Sequence, residues 1–250
     1  PSEFFKIAII IYVADYLAKR YRIKSFRKDL FFPAFLVMIG FGLILLQPDF
    51  GSGLVMVCSI VIMVLAADSP LSYFVRVGIL GAGGLGGLIL SAPYRLARIT
   101  SFIDPWKDPL GAGFQIIQSL FAIAPGGILG VGFDNSMQKH FYLPEPQTDF
   151  IFAIYAEEFG FIGSVLLIGL FIAVIYQGVK IAKNCTDPYL CYIAIGLTSL
   201  FAIQVMINLG VVVGLFPVTG ITLPFISYGG SSLMVMMGSM GLLMSIAKES

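Results

Sequence analysis

Leu143-Pro144-Glu145-Pro146-Gln147-Thr148-Asp149-Phe150-Ile151-Phe152 sets two carboxylates and two prolines against an apolar run that lasts to about Tyr176. A carboxylate at the mouth of an apolar helix is costly unless it is paired or used. Asp149 is therefore expected to carry chemistry, with the rest of the chain building a site around it. Glu157 and Glu158 follow two turns further on. At about 1.5 Å rise per residue, Glu157 lies ~12 Å deeper than Asp149. A two-carboxylate glycoside hydrolase needs roughly 5–9.5 Å, so this pair is read as structural hydrogen-bonding groups. His140 is the only histidine, and no Ser-His-Asp triad is proposed. Arg95 and Arg98 lie one helical turn apart; they can anchor a helix at a bilayer surface or grip a lipid pyrophosphate bidentately, with Lys107 assisting. Glu3 and Lys6, also one turn apart, form either a structural ion pair or the charged lining of a polar cavity. One outward carboxylate with nearby cations suits group transfer from a lipid-pyrophosphate donor. Pyrophosphate leaves without a general acid, so one base and positive charge on the departing phosphates suffice.

The elements that must position these residues are membrane helices. The chain is 58% hydrophobic and 12% charged, with a mean hydropathy of +0.95, against about 25% charged residues in soluble domains. A net charge of +1 gives no case for nucleic acid. Cys58, Cys185 and Cys191 have no metal-ligand spacing and read as small buried hydrophobes. Seven apolar segments, roughly 4–18, 30–47, 50–67, 74–93, 150–179, 190–215 and 229–247, approach the length that about 30 Å of hydrocarbon requires. Unpaired backbone groups are not tolerated in lipid, so they should be helices. The expected fold class is an all-α, polytopic transmembrane bundle. Lys19, Arg20, Arg22, Lys24, Arg27, Lys28, Arg76, Lys180, Lys183 and Lys248 fall on one face if the helices alternate, against Arg95, Arg98, Lys107 and Lys139 on the other. That bias puts the 19–29 loop in the cytoplasm and the 94–149 loop outside.

The 94–149 loop is long enough to be functional in itself. Asp104-Pro105-Trp106-Lys107-Asp108-Pro109 reads as turns, and Phe114–Ile123 as an interfacial helix closed by Pro125-Gly126-Gly127. Pro217, Gly220, Pro224, Gly229 and Gly230 break the connection between the last two helices, so Phe225–Ser232 forms either a site wall or a plain helix cap. Gly81-Ala82-Gly83-Gly84-Leu85-Gly86 matches GxGxxG literally, yet it lies inside an apolar run, where close helix packing explains it better than dinucleotide binding. Because the chain opens on Pro1 and its first apolar run lacks a signal-peptide layout, it is expected to be a piece of a longer protein.

Six motifs, in order and end to end, resemble the SEDS family (the FtsW, RodA and SpoVE proteins), on its FtsW/SpoVE side. They are Pro1-Ser2-Glu3 with Lys6; Leu46-Gln47-Pro48-Asp49-Phe50-Gly51; Tyr94-Arg95, Arg98-Ile99 and Phe102-Ile103-Asp104-Pro105; Asp108-Pro109-Leu110-Gly111-Ala112-Gly113; Pro144-Glu145-Pro146-Gln147-Thr148-Asp149-Phe150; and Pro224-Phe225-Ile226-Ser227-Tyr228-Gly229-Gly230-Ser231-Ser232. The resemblance implies one integral-membrane domain over 1–250, missing the first three of ten helices. It implies a peptidoglycan glycosyltransferase that polymerises lipid II beside a class B penicillin-binding protein and other division proteins, in the bacterial plasma membrane. The family's essential loop aspartate corresponds to Asp149, and the Glu and Lys of its fourth helix to Glu3 and Lys6, which favours the cavity reading. Arg95, Arg98 and Lys107 are the candidate pyrophosphate cations. Ser227 and Ser231 are loop supports, and Glu145 orients the loop or binds a cation. Many family members carry His where Gln147 stands. An amide cannot take a proton, so Gln147 is assigned a positioning role and Asp149 the base. No cofactor is assigned; Mg2+ or Mn2+ with the pyrophosphate is the candidate. A lipid II flippase and a non-catalytic division scaffold are the rival functions.

Overall fold

The computed structural model describes residues 1–20, 29–47, 49–67, 69–70, 83, 86–87, 98, 100–111, 113–136 and 147–249. Among these, all regular structure is helical: α1 (Ser2–Ala18), α2 (Phe31–Leu46), α3 (Phe50–Ala66), a 3-10 turn (Pro105–Lys107), α4 (Phe114–Gly126), α5 (Ile151–Asn184), α6 (Pro188–Val212) and α7 (Gly230–Glu249). Six of the seven expected segments are thus helices within a few residues of their expected ends. The segment 74–93 lies outside the described residues apart from helical Gly83, Gly86 and Gly87. α5, α6 and α7 are long and apolar enough to cross a membrane. α1, α2 and α3, of 17, 16 and 17 residues, stand at the short end of the spanning range.

The chain forms two compact units. Residues 1–80, 173–204 and 230–250 make the first; 81–172 and 205–229 make the second. In the first unit α1 packs on α2, α3 and α7, burying Ile9, Ile10, Val13, Ala14 and Leu17. Asp49, in the turn between α2 and α3, caps α3 by accepting from the Ser52 amide at 3.0 Å. Ser199 on α6 bonds the Ser59 carbonyl of α3 at 3.5 Å, a polar tie between otherwise apolar helices. The three cysteines are free thiols.

The second unit departs from the expected architecture at α5. The sequence predicts one unbroken helix over 150–179, but the backbone at Gly160 has φ 65° and ψ −162°, a region essentially closed to any other residue. The break removes two rungs of the helical ladder, and the segment after α4 replaces them. The amides of Phe161 and Ile162 donate to the carbonyls of Gly127 and Ile128 at 2.9 and 3.2 Å. The carbonyls of Glu157 and Glu158 accept from Val131 and Gly132 at 3.0 and 3.1 Å. Backbone cannot be left unpaired at membrane depth; here a loop spliced into the helix supplies partners for these two amides and two carbonyls. The close approach requires small residues, because a Cβ on Gly130 would lie 2.5 Å from the Glu158 carbonyl carbon and 2.7 Å from the Phe159 nitrogen.

The helix expected over Phe114–Ile123 is present and runs on through Pro125 to Gly126. It buries Ile116, Ile117, Ser119 and Ala122 while Leu120 and Phe121 stay exposed. Ser119 donates to Ile116 O at 2.8 Å and Val212 O at 3.1 Å, fixing α4 to the end of α6.

Candidate functional site around Asp149

Residues 147–150 form a turn leading into α5. Phe150, 1% exposed, and Phe152, 4% exposed, pin the turn to the core. Asp149, immediately before Phe150, is half-buried. The irregular segment 213–229 and the end of α6 together grip this turn residue by residue. The Tyr228 amide donates to Gln147 O at 2.8 Å. Ser227 Oγ donates to Thr148 O at 2.6 Å and accepts from the Leu223 amide at 2.7 Å. Asn208 Nδ2, from the last turns of α6, donates to Asp149 O at 2.9 Å and to Ile221 O at 2.6 Å. Gly220 lies against the carboxylate: a Cβ there would be 3.6 Å from Asp149 Oδ2. Arg98 joins the same segment, its Nη1 donating to Val218 O at 3.2 Å. Within Phe225–Ser232, Ser227 and Tyr228 contact the 147–149 turn, while Gly230–Ser232 open α7.

The remaining expected site residues divide plainly. Gln147 is exposed and makes its contact through its carbonyl rather than its amide side chain. Lys107 is exposed at the end of the 3-10 turn. Glu3 and Lys6 belong to the first unit, where Lys6 Nζ donates to Glu3 Oε1 at 2.7 Å with the lysine side chain 1% and the glutamate 16% exposed. Ser231 sits exposed in the first turn of α7, also in the first unit. Arg95 and Glu145 lie outside the described residues. Glu157, 2% exposed, accepts from Ser136 Oγ at 2.5 Å, the structural role expected of it. Glu158, 6% exposed, keeps Oε1 buried without a hydrogen-bond partner.

Two features were missed by sequence reasoning. Asn208 is an amide in an apolar helix, and burial cost was the signal that could have marked it. The Gly160 splice left no local signal beyond a cluster of glycines. As to metal, no group of three or more His, Cys, Asp or Glu side chains able to hold an ion is found among the described residues. Glu145, the expected cation ligand, is not among these residues.

A family profile described as cell cycle protein, spanning the FtsW, RodA and SpoVE proteins, matches residues 1–250. Stage V sporulation protein E of Bacillus subtilis (strain 168) is 52% identical over 252 residues, covering 100% of this chain and 69% of that protein. The probable peptidoglycan glycosyltransferase FtsW of Coxiella burnetii is 44% identical over 253 residues, covering 99% and 68%. Among solved structures, one describing how a peptidoglycan synthase complex coordinates polymerization and crosslinking matches at TM-score 0.80 and 32% identity, covering 100% of this chain and 70% of that one. The rod shape determining protein RodA of Thermus thermophilus matches at TM-score 0.68 and 28% identity, covering 100% and 65%. The chain thus spans about two thirds of the length of these relatives. On the profile match and the identities together, it belongs to the FtsW/RodA/SpoVE family of cell cycle proteins.

Proposed function

We propose that this chain is the membrane-embedded body of a peptidoglycan glycosyltransferase that polymerises lipid II, with Asp149 as general base. The observation that carries the assignment is the grip on the 147–149 turn, where three consecutive carbonyls are held by Tyr228, Ser227 and Asn208. A base must be held within a fraction of an ångström of its working position, and few turns are fixed at every residue. The Asp149 carboxylate takes the proton from the 4-hydroxyl of the acceptor sugar. That oxygen forms a bond to the anomeric carbon of the lipid-linked donor, and the anomeric carbon–phosphate bond breaks. Undecaprenyl pyrophosphate leaves with the electron pair, and inversion gives a β-1,4 link. Arg98 gives one of its five N–H donors to Val218 O; with Arg95 it supplies positive charge for the departing phosphates. Lys6 and Lys107 are further candidates for that role, and Gln147, Glu145 and Ser231 support the substrate-facing loops. The basic-residue count supports a cytoplasmic 19–29 loop and an external 94–149 loop in the plasma membrane. The working partner is a class B penicillin-binding protein that crosslinks the glycan, alongside other division proteins.

The test uses the full-length protein with its transpeptidase partner and lipid II. Asp149→Asn, which keeps the turn and removes the base, should reduce glycan synthesis at least ~100-fold, the scale of general-base catalysis. Long glycan at the parental rate in that variant ends the assignment. The broken backbone at 213–229 also suits a carrier. In liposomes, movement of fluorescent lipid II without polymerisation would establish the flippase reading instead. Normal division with Asp149→Asn, together with failure on altering the length of the 94–149 loop, would establish the scaffold reading.

A further inference from the structure

We infer that Asn208 is the residue that positions Asp149, by locking the aspartate's backbone and the 213–229 segment to α6 through one planar amide; this rests on the reading of Asp149 as base. Asn208 is 1% exposed, deep in a helix of apolar composition. Both groups it meets, Asp149 O at 2.9 Å and Ile221 O at 2.6 Å, are carbonyl oxygens that can only accept. Its neighbours therefore fix the orientation of the amide: Nδ2 faces them, and both of its hydrogens are spent. Oδ1 is left buried with no hydrogen-bond partner. A buried unpaired acceptor is destabilising, and an apolar side chain of similar size would avoid it. The orphaned oxygen is thus the cost of having two donors at this point, and what the donors hold is the backbone of Asp149.

The other two grips cannot do the same job. Ser227 and Tyr228 bind Thr148 and Gln147 from within the 213–229 segment itself, so turn and segment could move together without breaking either bond. Asn208 alone of the three reaches from a regular helix, and it takes hold of both parties at once. With it removed, the turn and the segment stay attached to each other, and the Leu215 and Phe216 amides on Gly210 O hold only the near end of the segment to α6. Gly220, against the Asp149 carboxylate, adjoins Ile221, so the amide also sets how the carboxylate meets that wall.

Asn208→Asp keeps the shape but turns carboxylate oxygens toward two carbonyls; Asn208→Ala removes both donors without repulsion in a good helix former. Both are made in the full-length protein with its transpeptidase partner, and lipid II polymerisation is measured beside Asp149→Asn. The expected result is a kcat lower by about 10- to 100-fold, the scale of an ångström's misplacement of a reacting group, with KM for lipid II unchanged within about twofold. A second readout needs no activity. With Cys58, Cys185 and Cys191 replaced by serine, spin labels at Met206→Cys on α6 and Tyr228→Cys in the segment, both at exposed positions, should give a narrow distance distribution in the parent and a broadened one in each Asn208 variant. If Asn208→Asp does not accumulate, Asn208→Ala alone decides. Parental kcat in the Asn208 variants, or an unbroadened distribution, overturns the inference. Parental activity in Asp149→Asn instead overturns the base assignment, and the spin-label distances then still decide whether Asn208 holds the turn.

Discussion

Replacing Gly160 by alanine should eject the 127–132 loop from α5, and the structure sets the size of the effect. An alanine at φ 65° and ψ −162° carries about 1–3 kcal/mol of backbone strain. Its Cβ would also lie 2.7 Å from Ile128 O and 2.8 Å from the Ile128 carbonyl carbon, both backbone atoms that cannot swing aside. In a continuous helix the same substitution gains about 0.8–1.0 kcal/mol over glycine. Both contributions favour a straight α5, which recovers its own bonds from Phe161 to Glu157 and from Ile162 to Glu158. Together they shift the balance by about 2–4 kcal/mol, a factor of roughly 30 to 1,000 at 1.36 kcal/mol per decade. Opposing this, Val131 and Gly132 lose their acceptors, and the carbonyls of Gly127 and Ile128 lose their donors.

Hydrogen exchange read by mass spectrometry follows this directly. In Gly160→Ala the peptide over 127–133 should lose protection while α5 keeps or gains it. Gly169→Ala is the control, since it lies in the same helix with nothing within 4 Å of the added Cβ. It should stabilise by about 0.5–1 kcal/mol and leave the loop untouched. If 127–133 stays as protected in Gly160→Ala as in the parent, the conformation at Gly160 is not what admits the loop, and the reasoning fails.

Three further outcomes follow from pairings in the structure. Glu3→Gln leaves the Lys6 ammonium, 1% exposed, without its carboxylate and should destabilise by about 3–5 kcal/mol; thermal unfolding of Glu3→Gln with Lys6→Met should recover most of that loss. Ser227→Ala strips Thr148 O of its donor and the Leu223 amide of its acceptor, costing about 1–3 kcal/mol and lowering polymerisation with little change in apparent lipid II affinity. Ser136→Ala removes the 2.5 Å bond to Glu157, worth about 1.5–3 kcal/mol for a charged acceptor. It should speed proteolysis near 131–136, whereas Asn135→Ala, exposed and bonded at 3.4 Å, should not.

What the sequence revealed followed from cost. Long apolar runs have few physical explanations, so α1, α2, α3, α5, α6 and α7 were legible to within a few residues at most ends. The place of Asp149, in a turn at the mouth of α5, was legible in the same way. The break at Gly160 was hidden because glycine is frequent in membrane helices. The partners that make its backbone tolerable lie near residue 130, beyond any local window. Asn208 was hidden differently: an amide one turn after Gln204 in an apolar helix reads as interhelical glue, and only the fold shows that its acceptors are Asp149 and Ile221. Gln147 was assigned by chemistry to a positioning role, yet the bond it makes runs through its carbonyl, and side-chain type does not predict that.

The two irregular segments of the second unit solve one problem in two places. The turn before Ile151 is held by 213–229 and Asn208, and the break at Gly160 is held by 127–132, so the helical piece Ile151–Phe159 is bounded at both ends by hydrogen bonds to other segments. Such a piece cannot slide or rotate without breaking bonds at one end, and its burial of Phe152, Ala153, Ile154 and Ala156 resists tilting. Arg98 is tied to Val218 of the same segment that holds Gln147 and Thr148, next to Asp149. On the reading of Asp149 as base and Arg98 as a phosphate-binding cation, the two share one support, and their spacing is set before substrate arrives. Electrostatic stabilisation is effective when the charges need not reorganise during reaction. Loosening the support at the distant Gly160 end should accordingly lower the catalytic rate, although no residue there touches the 147–149 turn.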